Sequence, residues 1–174
     1  MKETGVVRRI DELGRIVIPK EIRKNLRIRE GDPVEIFVLQ GENIVLKKYS
    51  TLNGFENELD KIVTVLSSKL DTTVLISDND KIISGAGNKK DNYVGKDLSF
   101  KLRNILHERR PHQSSSTNIT ASDMHQGNVY IFPLIVGGDL FGSLIILLDN
   151  LNISESYKII TEVMGNYIVK KLES

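Results

Sequence analysis

A chain of 174 residues allows one ordinary domain or two small ones. With 40% hydrophobic and 27% charged residues its composition is that of a folded globular protein, which excludes a disordered tail or a low-complexity segment as the whole. Cysteine is absent, so disulfide frameworks and thiol chemistry are excluded and a reducing compartment is the natural setting.

The formal net charge of +1 conceals an asymmetry. Residues 1–29 hold nine cations (Lys2, Arg8, Arg9, Arg15, Lys20, Arg23, Lys24, Arg27, Arg29) against four acids (Glu3, Asp11, Glu12, Glu21), a net +5, which leaves −4 on the other 145 residues. A basic head on a mildly acidic body suits a polyanion, although a solvated charged surface has the same composition. The first residues, MKETGVVRRID, lack the apolar core of a secretory signal. The apolar stretch Leu140 to Leu148 is far shorter than the roughly 18–20 residues a membrane helix needs. A cytoplasmic protein is expected.

Residues 1–50 read as short strands and one short helix. Thr4 to Asp11 is a strand candidate, with Val6, Val7 and Ile10 set among Arg8 and Arg9. Glu12-Leu13-Gly14 makes a turn in which Gly14 can take positive φ cheaply. Arg15 to Ile18 is strand-like, and Pro19 suits the first position of a helix, where its missing N–H costs nothing. Ile22 and Leu26 fall on one face of that helix, leaving Arg23, Lys24 and Arg27 on the others. Gly31-Asp32-Pro33 ends the unit. A hairpin follows, with Val34, Ile36 and Val38 alternating on one strand, a turn at residues 40–43, and a return strand from Ile44 to Tyr49. Fifty residues of this kind, with neither cysteine nor histidine, bury too little to fold as a monomer; two copies interleaving their hairpins would share one core.

Residues 51–55 read as a linker and 56–174 as a second domain. Phe55, Leu59, Ile62, Leu66 and Leu70 form an amphipathic stripe, suited to the domain's own core or to a neighbouring protomer. Thr73–Ser77 and Lys81–Ser84 are predicted strands around the turn Asp78-Asn79-Asp80, and Leu98 to Glu108 a helix. Pro111 to Asn128 is polar and reads as a loop or an irregular edge. Two apolar strands, Val129–Val136 and Leu140–Leu148, flank Gly137-Gly138-Asp139, a strong hairpin signal. Ser154 is a plausible N-cap for a last helix with Tyr157, Ile160, Met164, Tyr167 and Ile168 as its apolar positions. The predicted class is α+β: a β-rich N-terminal dimerisation domain, then an antiparallel sheet with flanking helices.

The stretches TGVVRRIDELGRIVIPKEIRKNLRIREGDPVEIF and IVLKKY resemble the AbrB-type swapped-hairpin DNA-binding domain, including the whole "DELGR-VIP-EIR" signature. The resemblance implies an intertwined homodimer that contacts double-stranded DNA through Arg8, Arg9, Arg15, Arg23 and Lys24. Arginine is common in that family at the last position; lysine keeps the charge but lacks the planar fork. The stretch FPLIVGGDLFGSLIILLD resembles GAF sensor domains. An AbrB-type head with a GAF-like tail resembles a family of sporulation transcription regulators of endospore-forming bacteria, activators or repressors whose tail senses a small molecule or assembles subunits, here into a tetramer. The other reading is an antitoxin-like or architectural DNA-binding protein whose tail holds a protein partner.

Nothing in the sequence points to an enzyme or a cofactor. Gly85-Ala86-Gly87-Asn88-Lys89-Lys90 lacks the spacing of a phosphate-binding loop. His107, His112 and His125, with Asp123, match no metal-ligand spacing, so no metal is expected. Ser114-Ser115-Ser116 lacks the glycines of a nucleophile elbow.

Overall fold

The computed structural model describes residues 5–26, 28, 30, 34–41, 43–49, 52, 54–149 and 152–173, without the side chains of Lys48 and Met124. The expectations placed on Lys2, Thr4, Arg27, Arg29, Gly31-Asp32-Pro33 and most of the linker lie outside the described residues. The chain divides into two compact units, Met1–Tyr49 and Ser50–Ser174.

In the first unit, helix α1 spans Lys20–Asn25, and strands β1 (Val34–Leu39) and β2 (Asn43–Lys48) form an antiparallel hairpin with Leu39 opposite Asn43. Gly41, at φ +95°, turns it. Pro19 stands one position before the first helical residue, and its carbonyl accepts the Arg23 N–H at 2.9 Å. Of the strands expected at 4–11 and 15–18, the described residues 5–11 and 15–18 carry no ladder. A strand exists only against a partner backbone, and among the described residues a single chain supplies none. Side chains tell the same story. Ile28 is the one buried apolar side chain among the described residues of this unit, while Val7, Val17, Ile36 and Val38 are each more than half exposed.

The second unit has a filled core. Helix α2 (Glu56–Leu70) leads into β3 (Thr73–Ser77) and β4 (Ile82–Ala86); α3 is Phe100–His107. Strands β5 (His112–Ser114), β6 (Thr117–Thr120) and β7 (Asp123–His125) follow, then the long hairpin β8 (Asn128–Val136) and β9 (Asp139–Leu148), and helix α4 (Glu155–Leu172). The five-stranded antiparallel sheet runs β4-β3-β9-β8-β5. Gly137 and Gly138, at φ +58° and +90°, supply the tight turn between its longest strands.

Strand alternation divides the core into two layers. Val74, Ile76, Tyr130, Leu134, Leu144 and Ile146 face α2 and α4. Their neighbours Leu75, Val129, Ile131, Ile145 and Leu147 face α3, Tyr93, Leu98 and Ile119. Both faces are covered, which is why these strands read as continuous apolar runs. The α2 stripe is spent inside the chain: Leu59, Ile62, Leu66 and Leu70 are buried in the first layer.

Two expectations change. Of the two readings of residues 111–128, the irregular edge holds and the loop does not. β5 pairs with β8 as an edge strand, and β6 and β7 form a separate hairpin whose Ile119 plugs the second layer. Three- and four-residue strands rich in Ser, Thr, Asn and His have the composition of loops. Helix α4 packs Tyr157, Met164 and Ile168 on the core as expected, but not Ile160 and Tyr167. It buries Thr161, Gly165 and Ile168, leaving Ile159, Ile160, Val163 and Tyr167 exposed. A Cβ on Gly165 would lie 2.2 Å from Cδ1 of Phe132, so the small residue lets the helix settle on β8. Ser154 precedes α4 without a side-chain capping bond; Ser99 caps α3, its Oγ accepting the Leu102 N–H at 2.9 Å.

His125 is the buried histidine, 3% exposed, with Nδ1 4.0 Å from Oδ1 of Asp149, which itself binds Lys89 Nζ at 2.5 Å. Burial holds the imidazole below its ordinary pKa, against the opposing pull of the Leu148 carbonyl and Asp149. The unfolded chain therefore takes up a proton near pH 6.5 that the folded chain refuses, and stability falls as pH drops until the folded pKa is passed. Melting temperature should decline from about pH 7 to about pH 5, and His125→Gln should flatten that decline; an unaltered slope would acquit His125 as its source.

Candidate nucleic-acid interface

The basic head is organised around one tight turn. Asp11 and Arg15 close it: the Asp11 N–H donates to the Arg15 carbonyl at 3.1 Å, and Gly14 N–H to the Asp11 carbonyl at 3.0 Å. Gly14 sits at φ +76°, a conformation that costs glycine little. The Asp11 carboxylate then fills the turn. Its Oδ1 accepts the backbone N–H of Leu13 at 3.0 Å and of Arg15 at 2.8 Å, while Oδ2 accepts Nε–H of Arg15 at 2.7 Å. Donation from the Arg15 backbone, then from its guanidinium, holds the Asp11 carboxyl below its ordinary pKa.

Arg15 is thus gripped by its Nε edge. Its side chain remains 71% exposed, and among the described residues its two Nη groups have no ion-pair or hydrogen-bond partner. Arg8 and Arg9 are exposed just before the turn, and Arg23 and Lys24 are exposed on the last turn of α1. Cations there also suit the negative end of a helix, which is the bland explanation for that pair. Among the described residues no hydrogen bond or ion pair ties Arg8, Arg9, Arg23 or Lys24 to a carboxylate. In the sequence Asp11 stands out only as one of the head's few acids. Its signal was the spacing: an aspartate three residues before a turn glycine and four before an arginine.

The tail holds less that a ligand could use. His107 ends α3 exposed, His112 is half-buried on β5 and His125 is buried on β7; no group of His, Asp or Glu among the described residues is arranged for a metal. The glycine of the Gly85–Lys90 loop serves packing: Gly87, at φ +104°, would bring a Cβ within 2.7 Å of Thr73 Cα. Among the buried polar atoms, Thr117 Oγ1, Thr120 Oγ1 and His125 Nε2 lack hydrogen-bond partners within the described residues. All three belong to the β6–β7 hairpin, where Thr117 lies opposite His125.

Residues 56–173 match the family model described as stage V sporulation protein T C-terminal, transcription factor, and residues 7–52 match that of antidote-toxin recognition MazE, bacterial antitoxin. The chain is 34% identical to stage V sporulation protein T of Bacillus subtilis (strain 168), over 99% of both chains. Its head is 59% identical over 49 residues to the transition state regulatory protein AbrB of the same organism, covering 28% of this chain and 50% of that one. The tail shares the fold of the GAF domain from Acinetobacter phosphoenolpyruvate-protein phosphotransferase, with a TM-score of 0.57 at 8% identity, covering 72% of this chain and 83% of that one.

The grip of Asp11 on Arg15 has a signature independent of DNA. In a carboxyl-detected NMR titration Asp11 should titrate below the ordinary aspartate value, and Arg15→Ala should move it back upward. An Asp11 resonance that ignores the substitution would contradict the ion pair.

Proposed function

The chain belongs to the stage V sporulation protein T family, and from that premise we propose that its head binds double-stranded DNA as a swapped-hairpin dimer through Arg8, Arg9, Arg15, Arg23 and Lys24. The protein is a sporulation-related transcription regulator with an AbrB-like head and a GAF-like tail. The observation that carries the DNA reading is a set of exposed cations on a turn and a short helix, in a unit whose apolar side chains stand uncovered. A second copy would cover those side chains and double the cations. Lys24 and some arginines would neutralise phosphates and set register, while planar guanidinium forks such as that of Arg15 could read base edges. A two-fold dimer favours two-fold related sites. On this reading the domains fall at 1–50 and 56–174 about the linker 51–55, the protein is a cytoplasmic regulator that activates or represses, and no enzymatic step is assigned to it. The folded, family-matched tail favours a regulator over an antitoxin-like protein.

For the tail we favour assembly. Its second layer is packed with Leu102, Ile105, Leu106, Ile119 and Tyr93, all buried. The outer face of α4 instead offers Ile159, Val163 and Tyr167 to a neighbour. Pairing of tails across dimers would make a tetramer and raise DNA avidity through linkage. A sensing role has one observation of its own, the three unpartnered polar atoms of the β6–β7 hairpin, which a small polar effector could satisfy.

Arg15→Ala and Arg23→Ala should each cost about 1–3 kcal/mol of specific binding per contact set, with a flatter salt dependence as fewer counterions are released. The measurement is fluorescence anisotropy on duplexes selected from a random pool by the wild-type protein; unchanged affinity with intact melting would take these residues out of the interface. The tetramer has a separate test. Light scattering should report four chains for the wild type and two for Val163→Glu, and a wild-type dimer at micromolar concentration would defeat it.

A further inference from the structure

Placing a carboxylate against an arginine that meets DNA runs against simple electrostatics. Asp11 is exposed, its charge cancels part of that of Arg15, and a polyanion would be attracted more strongly without it. Its hydrogen bonds show what is obtained in return. One oxygen holds the turn through two backbone N–H groups, and the other holds the Arg15 side chain by Nε at 2.7 Å. An unrestrained arginine has four rotatable side-chain bonds and loses much of that rotamer freedom when fixed. An arginine already held by its Nε edge presents two Nη groups in one plane and pays less of that entropy on binding. The carboxylate also acts against the wrong ligand, because it repels phosphate wherever the fork finds no acceptors to satisfy it.

We propose that Asp11 is a positioning residue for DNA recognition: it fixes the turn from Asp11 to Arg15 and the plane of the Arg15 guanidinium, exchanging non-specific affinity for specificity. The proposal rests on the reading above that Arg15 meets DNA. It separates two quantities that a purely structural residue would move together. Asp11→Asn keeps an oxygen for the turn N–H groups but removes the charge that holds Nε. Specific and non-specific affinity should therefore change in opposite directions.

The experiment titrates the full-length chain against two probes at several salt concentrations: a duplex selected by the wild type from a random pool, and a scrambled duplex of equal length. Asp11→Asn should weaken the selected duplex about five- to tenfold, the loss of a fraction of one base contact. It should also strengthen the scrambled duplex about two- to threefold at low salt and steepen its salt slope, since each protomer gains one positive charge. Asp11→Ser, which retains a short side-chain acceptor, should give the same reversal, and melting curves identify any variant that fails to fold. In an Arg15→Ala background, Asp11→Asn should cause no further loss on the selected duplex. Additive losses, an unchanged ratio between the probes, or equal weakening on both would overturn the assignment to Asp11 while leaving Arg15 in the interface. Arg15→Ala without effect on the selected duplex would instead overturn the contact by Arg15, and the role of Asp11 with it.

Discussion

The constraint on which this protein depends is that its head cannot bury itself. Among its described residues only Ile28 is buried, and both strands of the β1–β2 hairpin expose apolar side chains, including Ile36, Val38 and Ile44. Apolar burial is the main favourable term in folding, and a unit this small recovers too little of it alone to offset its chain entropy. Folding and association of the head are then one equilibrium, so the stability of the head depends on protomer concentration. The same constraint accounts for the missing ladders at residues 5–11 and 15–18. Their sequence has strand character, and what it lacks in one chain is a partner backbone.

The tail solves the burial problem within one chain, and its architecture was legible for that reason. The continuous apolar runs of β3, β8 and β9, the turn glycines 137 and 138, and the helical stripe from Leu59 to Leu70 are all visible as apolar runs, turn chemistry or periodicity. What escaped was decided by packing. The polar strands β5 to β7 are held by β8 and by their own hairpin rather than by composition. The face of α4 was set by Gly165, whose missing side chain admits Phe132, and hydropathy assigns no inward preference to a glycine. In the head, the cations could be listed from the sequence, but not their difference in rigidity. Arg15 is held by an aspartate, whereas Arg8 and Arg9 are simply exposed.

That difference in rigidity bears on how a regulator finds its site. On the proposed reading, exposed cations such as Arg8, Arg9 and Lys24 would follow any phosphate backbone and supply attraction that salt weakens. A guanidinium held in one plane recognises fewer arrangements of acceptors and loses less entropy on meeting the right one. Both kinds within one turn and one helix would give the head a general hold on DNA and a selective one.

The division of labour between head and tail follows from the two burial solutions. A tail with its own two-layer core does not need the head for burial, so tails that associate as proposed would hold heads near one another when they separate. Tethering turns re-pairing into an intramolecular event whose effective concentration is set by the linkage rather than by the cell. A head that folds only with a partner is vulnerable at low copy number, and a self-sufficient tail that also associates through the exposed side of α4 would offset that weakness. The apolar residues Ile159, Val163 and Tyr167 on that side have no role in the core of their own chain. Their burial against another tail would couple assembly of the tails to folding of the heads, with DNA occupancy rising as both are completed.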